Sequence, residues 1–296
     1  MNKGVLYALG AYVIWGFLPI YWKSLPGIPA LEILSHRVVW SFILLVFVLV
    51  YKRHWQWIGP AIRNRRVLLT FLAATTMLAI NWLVYIWAVQ TDHIVESSLG
   101  YFINPLVNVL LGVLFLRERL RPWQLVGIAV AALGVLYLTF SVNSLPWIGL
   151  TLAFSFGLYG LLRKTASLNS LQGLTFETAL LFVPVVAYLL YRETMGNGAF
   201  GHATLPITFL LVFSGLVTAA PLLLFAAGAR RVSLSTLGIL QYLAPTIQFL
   251  LGVFIYGERL TRARLIGFGL IWLALLIYSL ESLIERRREM AYQYAH

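Results

Sequence analysis

The chain alternates between long hydrophobic stretches and short segments that carry most of its charges. Most of these stretches are close to the roughly 20 residues that a helix needs to cross the hydrocarbon core of a bilayer. They cover residues 5–21, 28–50, 67–88, 94–116, 122–140, 147–162, 174–191, 205–229, 237–256 and 265–280. The pattern predicts ten transmembrane helices. The first is expected to be a permanent span, since it lacks the A-x-A-like cleavage site of a signal peptide.

Strands do not explain these stretches. β-Structure in water would show turn residues about every ten positions, and a transmembrane barrel would alternate apolar and polar side chains. Neither pattern is present in the sequence. Helices are therefore the remaining way to satisfy every backbone hydrogen bond inside lipid, and the predicted fold class is an all-α membrane protein.

The composition also excludes a soluble globular protein. Of the 296 residues, 60% are hydrophobic and 11% are charged, whereas an ordinary soluble domain has about 45–50% and about 25%. A chain of this size cannot hide so much apolar surface from water. It contains no cysteine, which excludes disulfides, thiolate zinc sites and cysteine nucleophiles.

The distribution of the net charge of +12 predicts the orientation in the membrane. If the N-terminus is cytoplasmic, 16 of the 22 Lys and Arg lie in cytoplasmic segments and 5 in outer segments, with Arg37 inside a hydrophobic stretch. Short cytoplasmic loops of membrane proteins are enriched in basic residues, so both termini are predicted to be cytoplasmic. The basic tail at 286–288 is expected to face anionic lipid rather than nucleic acid.

Two segments of the chain resemble each other. The sequence NPLVNVLLGVLFLRERL in the fourth stretch matches APTIQFLLGVFIYGERL in the ninth, so that Pro105 aligns with Pro245 and Glu118 with Glu258. Five predicted helices separate equivalent points, so the two copies must cross the membrane in opposite directions. We predict two inverted five-helix repeats, residues 1–140 and 141–282, and a basic tail at 283–296. Inverted repeats of this kind are common in secondary transporters.

The repeated motifs resemble a known family. A proline, Leu-Leu-Gly, Glu-Arg-Leu and two spaced glycines in the following stretch resemble the EamA family of the drug/metabolite transporter superfamily, and SLGYFINPL resembles its RarD-type branch. The resemblance implies ten helices in two inverted halves, a cytoplasmic (inner) membrane location and transport of small metabolites or drugs, often outward. Arg117 replaces the usual family glycine, and Ala244 stands opposite Asn104 of the first copy, which indicates that the halves have specialised.

Arg37 lies near the middle of the second stretch, about 3 Å from its centre at about 1.5 Å per residue. A mid-membrane Arg costs about 2.5–3.5 kcal/mol on insertion scales, so it normally faces a partner or a cavity. Two interpretations remain open. Arg37 holds an anionic substrate group through two hydrogen bonds, or it forms a fixed ion pair with Glu96 or Glu177.

Four titratable residues within or beside the stretches are candidates for proton coupling, namely Glu32, His36, Glu96 and Glu177. Glu32 and His36 are four residues apart and share one helix face, which brings a carboxylate next to an imidazole. Glu96 and Glu177 lie early in their stretches, where a helix N-terminus favours negative charge. A structural hydrogen-bonding role at a helix end is the alternative for each.

The fourth stretch carries a polar stripe, because Ser97, Tyr101, Asn104 and Asn108 recur every three or four residues. Lipid would penalise such a stripe, so it is expected to face protein or a cavity. Pro105 lies at its centre and frees the carbonyl of Tyr101. A bend or local unwinding is therefore expected at mid-membrane.

The ninth stretch repeats this arrangement, and the two polar segments are predicted to form one substrate site. Asn81 and Trp82 of the third stretch add a polar contact and an aromatic wall. The predicted binding residues are Arg37, Asn81, Trp82, Tyr101, Asn104, Asn108, Gln241, Tyr242 and Gln248, with Pro105 and Pro245 as helix hinges. Ordinary packing between membrane helices, which also uses small residues and amides, is the alternative.

Two charged pairs, Glu118-Arg119 and Glu258-Arg259, follow the repeated motifs and lie outside the apolar band. A charge at a helix end can close the helix and connect it to its neighbours. The alternative is a gate that opens and closes during transport.

The predicted function is a secondary active transporter that exports a small metabolite or drug-like compound by alternating access, with proton coupling left open. An ATP-driven pump is disfavoured because no G-x-x-x-x-G-K-[ST] motif is present. A passive facilitator and an intramembrane enzyme acting on a lipid-like substrate are the alternatives, and no nucleophile with a base or metal cluster supports the enzyme. No cofactor or metal is expected. The expected partners are the substrate and lipids, and the chain is expected to be a monomer or homodimer.

Overall fold

The structure is a computed structural model that describes residues 2–53, 55–90, 94–140, 147–255 and 262–294. Within these ranges every regular element is a helix and no strand occurs, so the predicted all-α class is confirmed. The helices are α1 (Lys3–Lys23), α2 (Ala30–Tyr51), α3 (Ile58–Arg63), α4 (Arg65–Gln90), α5 (Ile94–Leu116), α6 (Pro122–Phe140), α7 (Trp147–Thr165), α8 (Ser170–Thr194), α9 (Leu205–Ala229), α10 (Leu234–Gln241), α11 (Leu243–Phe254) and α12 (Arg262–Tyr294).

Apart from the short α3, the helices follow the hydrophobic stretches of the sequence. The ninth stretch is divided between α10 and α11, and α12 continues beyond the tenth stretch to Tyr294. Among the described residues, seven segments are long and apolar enough to cross a membrane: α1, α2, α4, α6, α8, α9 and the α10–α11 segment. Large apolar side chains such as Phe47, Leu205 and Phe254 are exposed on the outer surface. Such a surface suits lipid and not water, so the chain is a multi-pass membrane protein.

The ninth stretch divides at Tyr242, where α10 ends and α11 begins. Pro245 lies three residues further on and has no N–H to donate to the carbonyl of Gln241, which explains an interruption at this position. At its other end, α10 is capped by Ser233, whose side chain accepts a hydrogen bond from the Thr236 N–H at 3.0 Å.

The local unwinding expected at Pro105 does not occur, because α5 runs without interruption from Ile94 to Leu116. Its neighbour α10 packs closely at this level. A Cβ atom at Gly238 would lie 2.6 Å from the Pro105 carbonyl oxygen. Prolines are tolerated in membrane helices where neighbouring elements support the backbone, and α10 is such a neighbour of α5.

The helices pack around a central aromatic core. Helix α5 lies against α7 and α10, α1 against α9 and α11, α2 against α8 and α9, and α6 against α12. The ring of Phe225 on α9 lies 5.2 Å from that of Phe156 and 6.1 Å from that of Tyr159, both on α7. Tyr12 on α1 contacts the same Phe225 ring. These rings join helices from both sequence copies at the centre of the protein.

Arg163 lies deeper in the protein than the hydrophobic pattern predicted. Arg163, counted with the cytoplasmic segments, lies in the last turn of α7 with only 1% of its side chain exposed. It forms an ion pair with the equally buried Glu177 of α8 at 3.6 Å and lies over the ring of Phe71. The predicted hydrophobic stretch ended at residue 162, before the end of α7, because the sequence does not show that Glu177 of the neighbouring helix neutralises the charge of Arg163.

Candidate functional site

A cavity of about 160 Å³ lies between α1, α2, α4, α5, α7, α9, α10 and α11. Six of the nine predicted binding residues contribute to its lining, together with the predicted hinge residue Pro245. The six are Arg37, Asn81, Trp82, Tyr101, Gln241 and Gln248. The structure therefore brings together polar residues from both sequence copies around one space inside the helix bundle.

Arg37 is held from three sides and still presents hydrogen-bond donors to this cavity. Its Nε–H donates to the Thr218 hydroxyl at 2.8 Å. The rings of Trp22 and Trp82 lie 4.7 and 5.3 Å from the guanidinium carbon, within the range of cation–π attraction. Among the described residues, none accepts a hydrogen bond from its two terminal nitrogens and no carboxylate forms an ion pair with it. The two terminal NH2 groups are thus available to a ligand.

The expected ion pair between Arg37 and Glu177 is not formed. Glu177 instead pairs with Arg163, and the Tyr159 hydroxyl donates to its Oε2 at 3.2 Å. The other proposed partner, Glu96, lies in the part of α5 whose side chains fall outside the described residues. Of the two interpretations of Arg37, its surroundings favour the ligand-binding one.

The polar stripe of α5 mainly joins helices to one another. Asn104 Nδ2 donates to the Ala153 carbonyl at 2.6 Å. Asn108 Nδ2 donates to Asn104 Oδ1 at 3.1 Å and to Gln241 Oε1 at 2.9 Å. Neither asparagine lines the cavity. They position α5 against α7 and α10 and orient Gln241, which does line it. The side chain of Ser97 lies outside the described residues.

Tyr242 was also predicted to bind substrate, but it does not line the cavity. Its side chain is fully buried, and its hydroxyl donates to the Phe102 carbonyl at 3.2 Å. It therefore fixes the break between α10 and α11 against α5. Adjacent side chains on a helix point in different directions, so Gln241 reaches the cavity while Tyr242 packs against α5.

Two of the lining amides also serve as connectors. Asn81 Nδ2 donates to the Leu152 carbonyl at 2.9 Å and to the Ser155 hydroxyl at 3.1 Å. Gln248 Nε2 donates to the Trp15 carbonyl at 3.1 Å. These bonds connect the two amides to α7 and α1, so each holds a wall of the cavity in place.

Glu32 and His36 lie away from the cavity. Glu32 is buried, pairs with Arg192 at 3.2 Å and accepts a hydrogen bond from the Ala199 N–H at 2.6 Å. His36 lies against the ring of Phe200 at 5.3 Å, and its Nε2 has no hydrogen-bond partner. Both residues therefore connect α2 to the segment between α8 and α9.

Glu118 closes the N-terminal end of α10. Its carboxylate accepts hydrogen bonds from the Leu234 N–H at 2.6 Å, the Ser235 N–H at 3.0 Å and the Ser235 hydroxyl at 2.7 Å. Gly112 leaves room for it, since a Cβ there would lie 2.6 Å from Glu118 Oε2. Arg119 is exposed. The corresponding pair, Glu258 and Arg259, lies outside the described residues.

Several residues of the site were not predicted from the sequence. Thr218 lies in an apolar stretch where a lone threonine carries no signal. On α1, however, the lining residues Tyr12, Trp15, Pro19 and Trp22 recur at intervals of three and four. That spacing marks one helix face, and an aromatic face on a membrane helix was a signal that could have been read.

Apolar helices around a polar and aromatic cavity define a membrane protein with an internal cavity. Residues 2–140 and 145–280 each match the EamA-like transporter family. The chain therefore belongs to the EamA-like transporter family and is a membrane transporter of the RarD type, as its motifs indicated.

Similar proteins cover nearly the whole chain. Protein RarD from Streptomyces exfoliatus is 46% identical over 98% of this chain and 92% of its own length. An uncharacterized transporter from Bacillus subtilis, YojE, is 45% identical over 97% of this chain and 96% of its own length. One solved crystal structure shares the fold with a TM-score of 0.72 at 18% identity, covering 94% of this chain and 98% of that chain.

Proposed function

We propose that this protein is a secondary active transporter of the cytoplasmic membrane, which exports a small metabolite or drug-like compound by alternating access. The observation that carries the proposal is Arg37, whose terminal nitrogens have no partner among the described residues and whose side chain lines the cavity. A charged side chain is costly to place inside a membrane, so such residues often mark substrate or ion pathways. A transporter that binds an anionic group at mid-membrane needs such a residue.

The proposal includes ten membrane helices in two inverted repeats, and the helix contacts support it. The first copy would comprise α1, α2, α4, α5 and α6, and the second α7, α8, α9, α10–α11 and α12. Exchanging the copies converts the contacts of α1 with α9 and α11 into those of α7 with α4 and α5. It likewise converts the contact between α2 and α9 into the contact between α8 and α4. In other contacts a helix packs against its own equivalent in the other copy, namely α2 against α8, α5 against α10 and α6 against α12.

The proposed boundaries of the repeats are residues 1–140 and 141–282, followed by a basic tail at 283–296. Five crossings per repeat make the two copies antiparallel. Both termini are proposed to be cytoplasmic, from the excess of basic residues on that side. In this arrangement the cavity lies at mid-membrane between the copies, where inverted-repeat transporters bind substrate.

Alternating access requires parts of the bundle to move against each other. We assign this movement to the region of Pro105 and Pro245, where α5 and the α10–α11 break meet. The second copy has the more flexible element, because α10 and α11 are separate helices while α5 is continuous. The hinge is therefore expected to be asymmetric, with α10 moving more than the equivalent part of α5.

Proton coupling is proposed to involve Glu32 and His36, while Glu96 and Glu177 remain candidates. The His36 imidazole is buried with an unpartnered Nε2 one turn from the Glu32 carboxylate. Glu32→Gln is expected to retain substrate counterflow and to lose uphill movement driven by a pH gradient. Unchanged uphill movement in this variant would remove Glu32 from the coupling.

The transport function is tested in vesicles of phosphatidylethanolamine and phosphatidylglycerol that contain the purified protein. A panel of metabolites and antibiotics is first screened by thermal shift, and each stabilising compound is then measured for saturable flux. Arg37→Ala is expected to abolish flux while the protein remains folded. Arg119→Ala, which alters an exposed arginine, is the control and should keep full flux.

Three outcomes would contradict the proposal. Equal flux in Arg37→Ala and the parent protein would remove Arg37 from the site. Flux that never exceeds equilibration under an imposed gradient would indicate a passive facilitator. Turnover of a lipid by the purified protein without substrate flux would indicate an intramembrane enzyme.

A further inference from the structure

The cavity carries a positive charge that its described lining does not neutralise. Among the described lining residues, Arg37 is the one charged side chain, and neither aspartate nor glutamate is present. The buried carboxylates of Glu32 and Glu177 do not line the cavity and are paired with Arg192 and Arg163. Charge interactions inside a protein are stronger than in bulk water. The cavity therefore favours a ligand with a single negative charge.

The geometry of Arg37 favours a planar anionic group. Thr218 accepts from Nε, which leaves the two terminal nitrogens as a fork of parallel donors. The rings of Trp22 and Trp82 restrict the movement of the guanidinium. A planar fork matches the two oxygens of a carboxylate through paired hydrogen bonds. Phosphate monoesters and dicarboxylates would bring a second charge that nothing in the described lining neutralises.

The walls and size of the cavity limit the rest of the ligand. Besides the two indole rings at Arg37, the aromatic side chains of Trp15, Tyr85, Tyr101 and Phe156 line it. Its volume of about 160 Å³ is close to that of an engineered apolar cavity of about 150 Å³ that holds benzene. The space therefore suits one planar ring or an apolar group of similar size.

Gln241 offers a second polar contact. Its Oε1 accepts from Asn108 Nδ2 at 2.9 Å, so its Nε2 is the group left to donate. Among the described residues, none accepts a hydrogen bond from this nitrogen. A hydroxyl or carbonyl oxygen on the ligand could do so, which would favour a polar substituent on the ring.

We propose that the substrate is a small monocarboxylate with one planar apolar group and no ammonium group, such as an aromatic carboxylate. This inference rests on the transport function proposed above and narrows its substrate class. The carboxylate binds the terminal nitrogens of Arg37, and the ring lies among the aromatic walls. Zwitterionic amino acids and organic cations are excluded.

The exclusion of ammonium groups follows from the same charge inventory. An α-ammonium group would enter the cavity within a few ångström of the guanidinium that holds its own carboxylate. It would lose its hydration without gaining a carboxylate partner among the described lining residues. Burying an unpaired charge is far more costly than burying a hydrogen-bonded neutral group.

The test uses binding to the purified protein, because the uncharged form of a small carboxylic acid crosses vesicles unaided. Tritiated benzoate is the probe, and it is displaced by unlabelled benzoate, 4-hydroxybenzoate, phenylalanine and benzamide. Benzoate and 4-hydroxybenzoate are expected to compete well. Phenylalanine carries an ammonium group and benzamide lacks the charge, so each should need at least about tenfold higher concentration.

Variants of Arg37 supply a second measurement. Arg37→Gln is expected to weaken benzoate binding by at least about tenfold, and Arg37→Lys by less, since lysine keeps the charge and loses the fork. Arg119→Ala should bind like the parent protein. Size-exclusion chromatography establishes that each variant is folded, and the ligand series on the parent protein does not depend on any variant.

The possible results separate the substrate class from the transport function. Phenylalanine or benzamide competing as well as benzoate, or no benzoate binding at all, would overturn the monocarboxylate assignment. The transport function would stand in that case if another compound showed Arg37-dependent flux in vesicles. Benzoate binding that is equal in the parent protein and in folded Arg37→Gln would also overturn the assignment.

Discussion

Asn108 on α5 donates a hydrogen bond to Gln241 on α10 across the interface between the two sequence copies, with 2.9 Å between Nδ2 and Oε1. The same Nδ2 also donates to Asn104 one turn earlier. One buried amide thus links the interior of α5 to a residue that lines the cavity. Its oxygen, Oδ1, has no hydrogen-bond partner.

Asn108→Ala is expected to lower stability, because it leaves Gln241 Oε1 without its buried donor. The cost of an unsatisfied buried group is about 1–3 kcal/mol, so the unfolding midpoint in detergent should fall. Ligand affinity should fall as well, since Gln241 loses its orientation. Thr76→Ala is the control, because Thr76 is exposed and its hydroxyl bonds only within its own helix. An unchanged midpoint would show that Asn108 contributes little.

Replacing one partner of the buried ion pair between Arg163 and Glu177 should destabilise the protein more than replacing both. Glu177→Leu leaves a buried guanidinium without its carboxylate, at a cost of about 3–5 kcal/mol, whereas the double variant Arg163→Met/Glu177→Leu removes both charges and should be less destabilised. The measurement is thermal unfolding of the three proteins. A double variant that is less stable than Glu177→Leu alone would contradict this account.

An exposed pair gives the matched control for that experiment. Glu193 and His202 also lie within ion-pair distance, at 2.8 Å, but their side chains are 53% and 66% exposed. Exposed pairs contribute little because water and salt screen them. Glu193→Gln should therefore leave the unfolding midpoint nearly unchanged.

Glu118→Ala should open the N-terminal end of α10. The variant loses three hydrogen bonds to a carboxylate, at Leu234 and Ser235, and bonds to charged groups contribute about 1.5–3 kcal/mol each when fully buried. We expect a clear fall in the unfolding midpoint and faster hydrogen exchange at residues 234–236. Replacement of the adjacent exposed residue, Arg119→Ala, should change neither. Unaltered exchange in Glu118→Ala would rule out the capping role.

Two glycines provide a test of the close approach of α5 and α10. In Gly238→Ala the new Cβ would lie 2.6 Å from the Pro105 carbonyl oxygen and 3.0 Å from the Asn108 Cβ, so backbone must shift. We expect lower stability and slower flux, since these helices border the proposed hinge.

Gly269→Ala is the matched substitution in α12, where a Cβ meets nothing within 4 Å. Alanine is favoured over glycine inside a helix by about 0.5–1 kcal/mol. This variant should equal or exceed the parent protein in stability. Equal effects of the two substitutions would indicate that the approach at Gly238 is not tight.

The hydrophobic pattern predicted the helices because an apolar segment in lipid must satisfy its own backbone hydrogen bonds, and a helix does so locally. It also indicated six residues that line the cavity, since polar side chains on apolar helices are expected to face the inside of the helix bundle and not lipid. It did not indicate Thr218, whose role depends on where α9 lies next to Arg37. The repeat also suggested equal hinges, yet α5 is continuous at Pro105 and the equivalent helix is interrupted at Tyr242.

The carboxylate that closes α10 belongs to Glu118, two residues beyond the end of α5, so one copy supplies an acceptor for the first turn of a helix in the other. A polypeptide divided after residue 140 would have to bring its two fragments together before these bonds could form. The duplicated segments therefore depend on each other at this point.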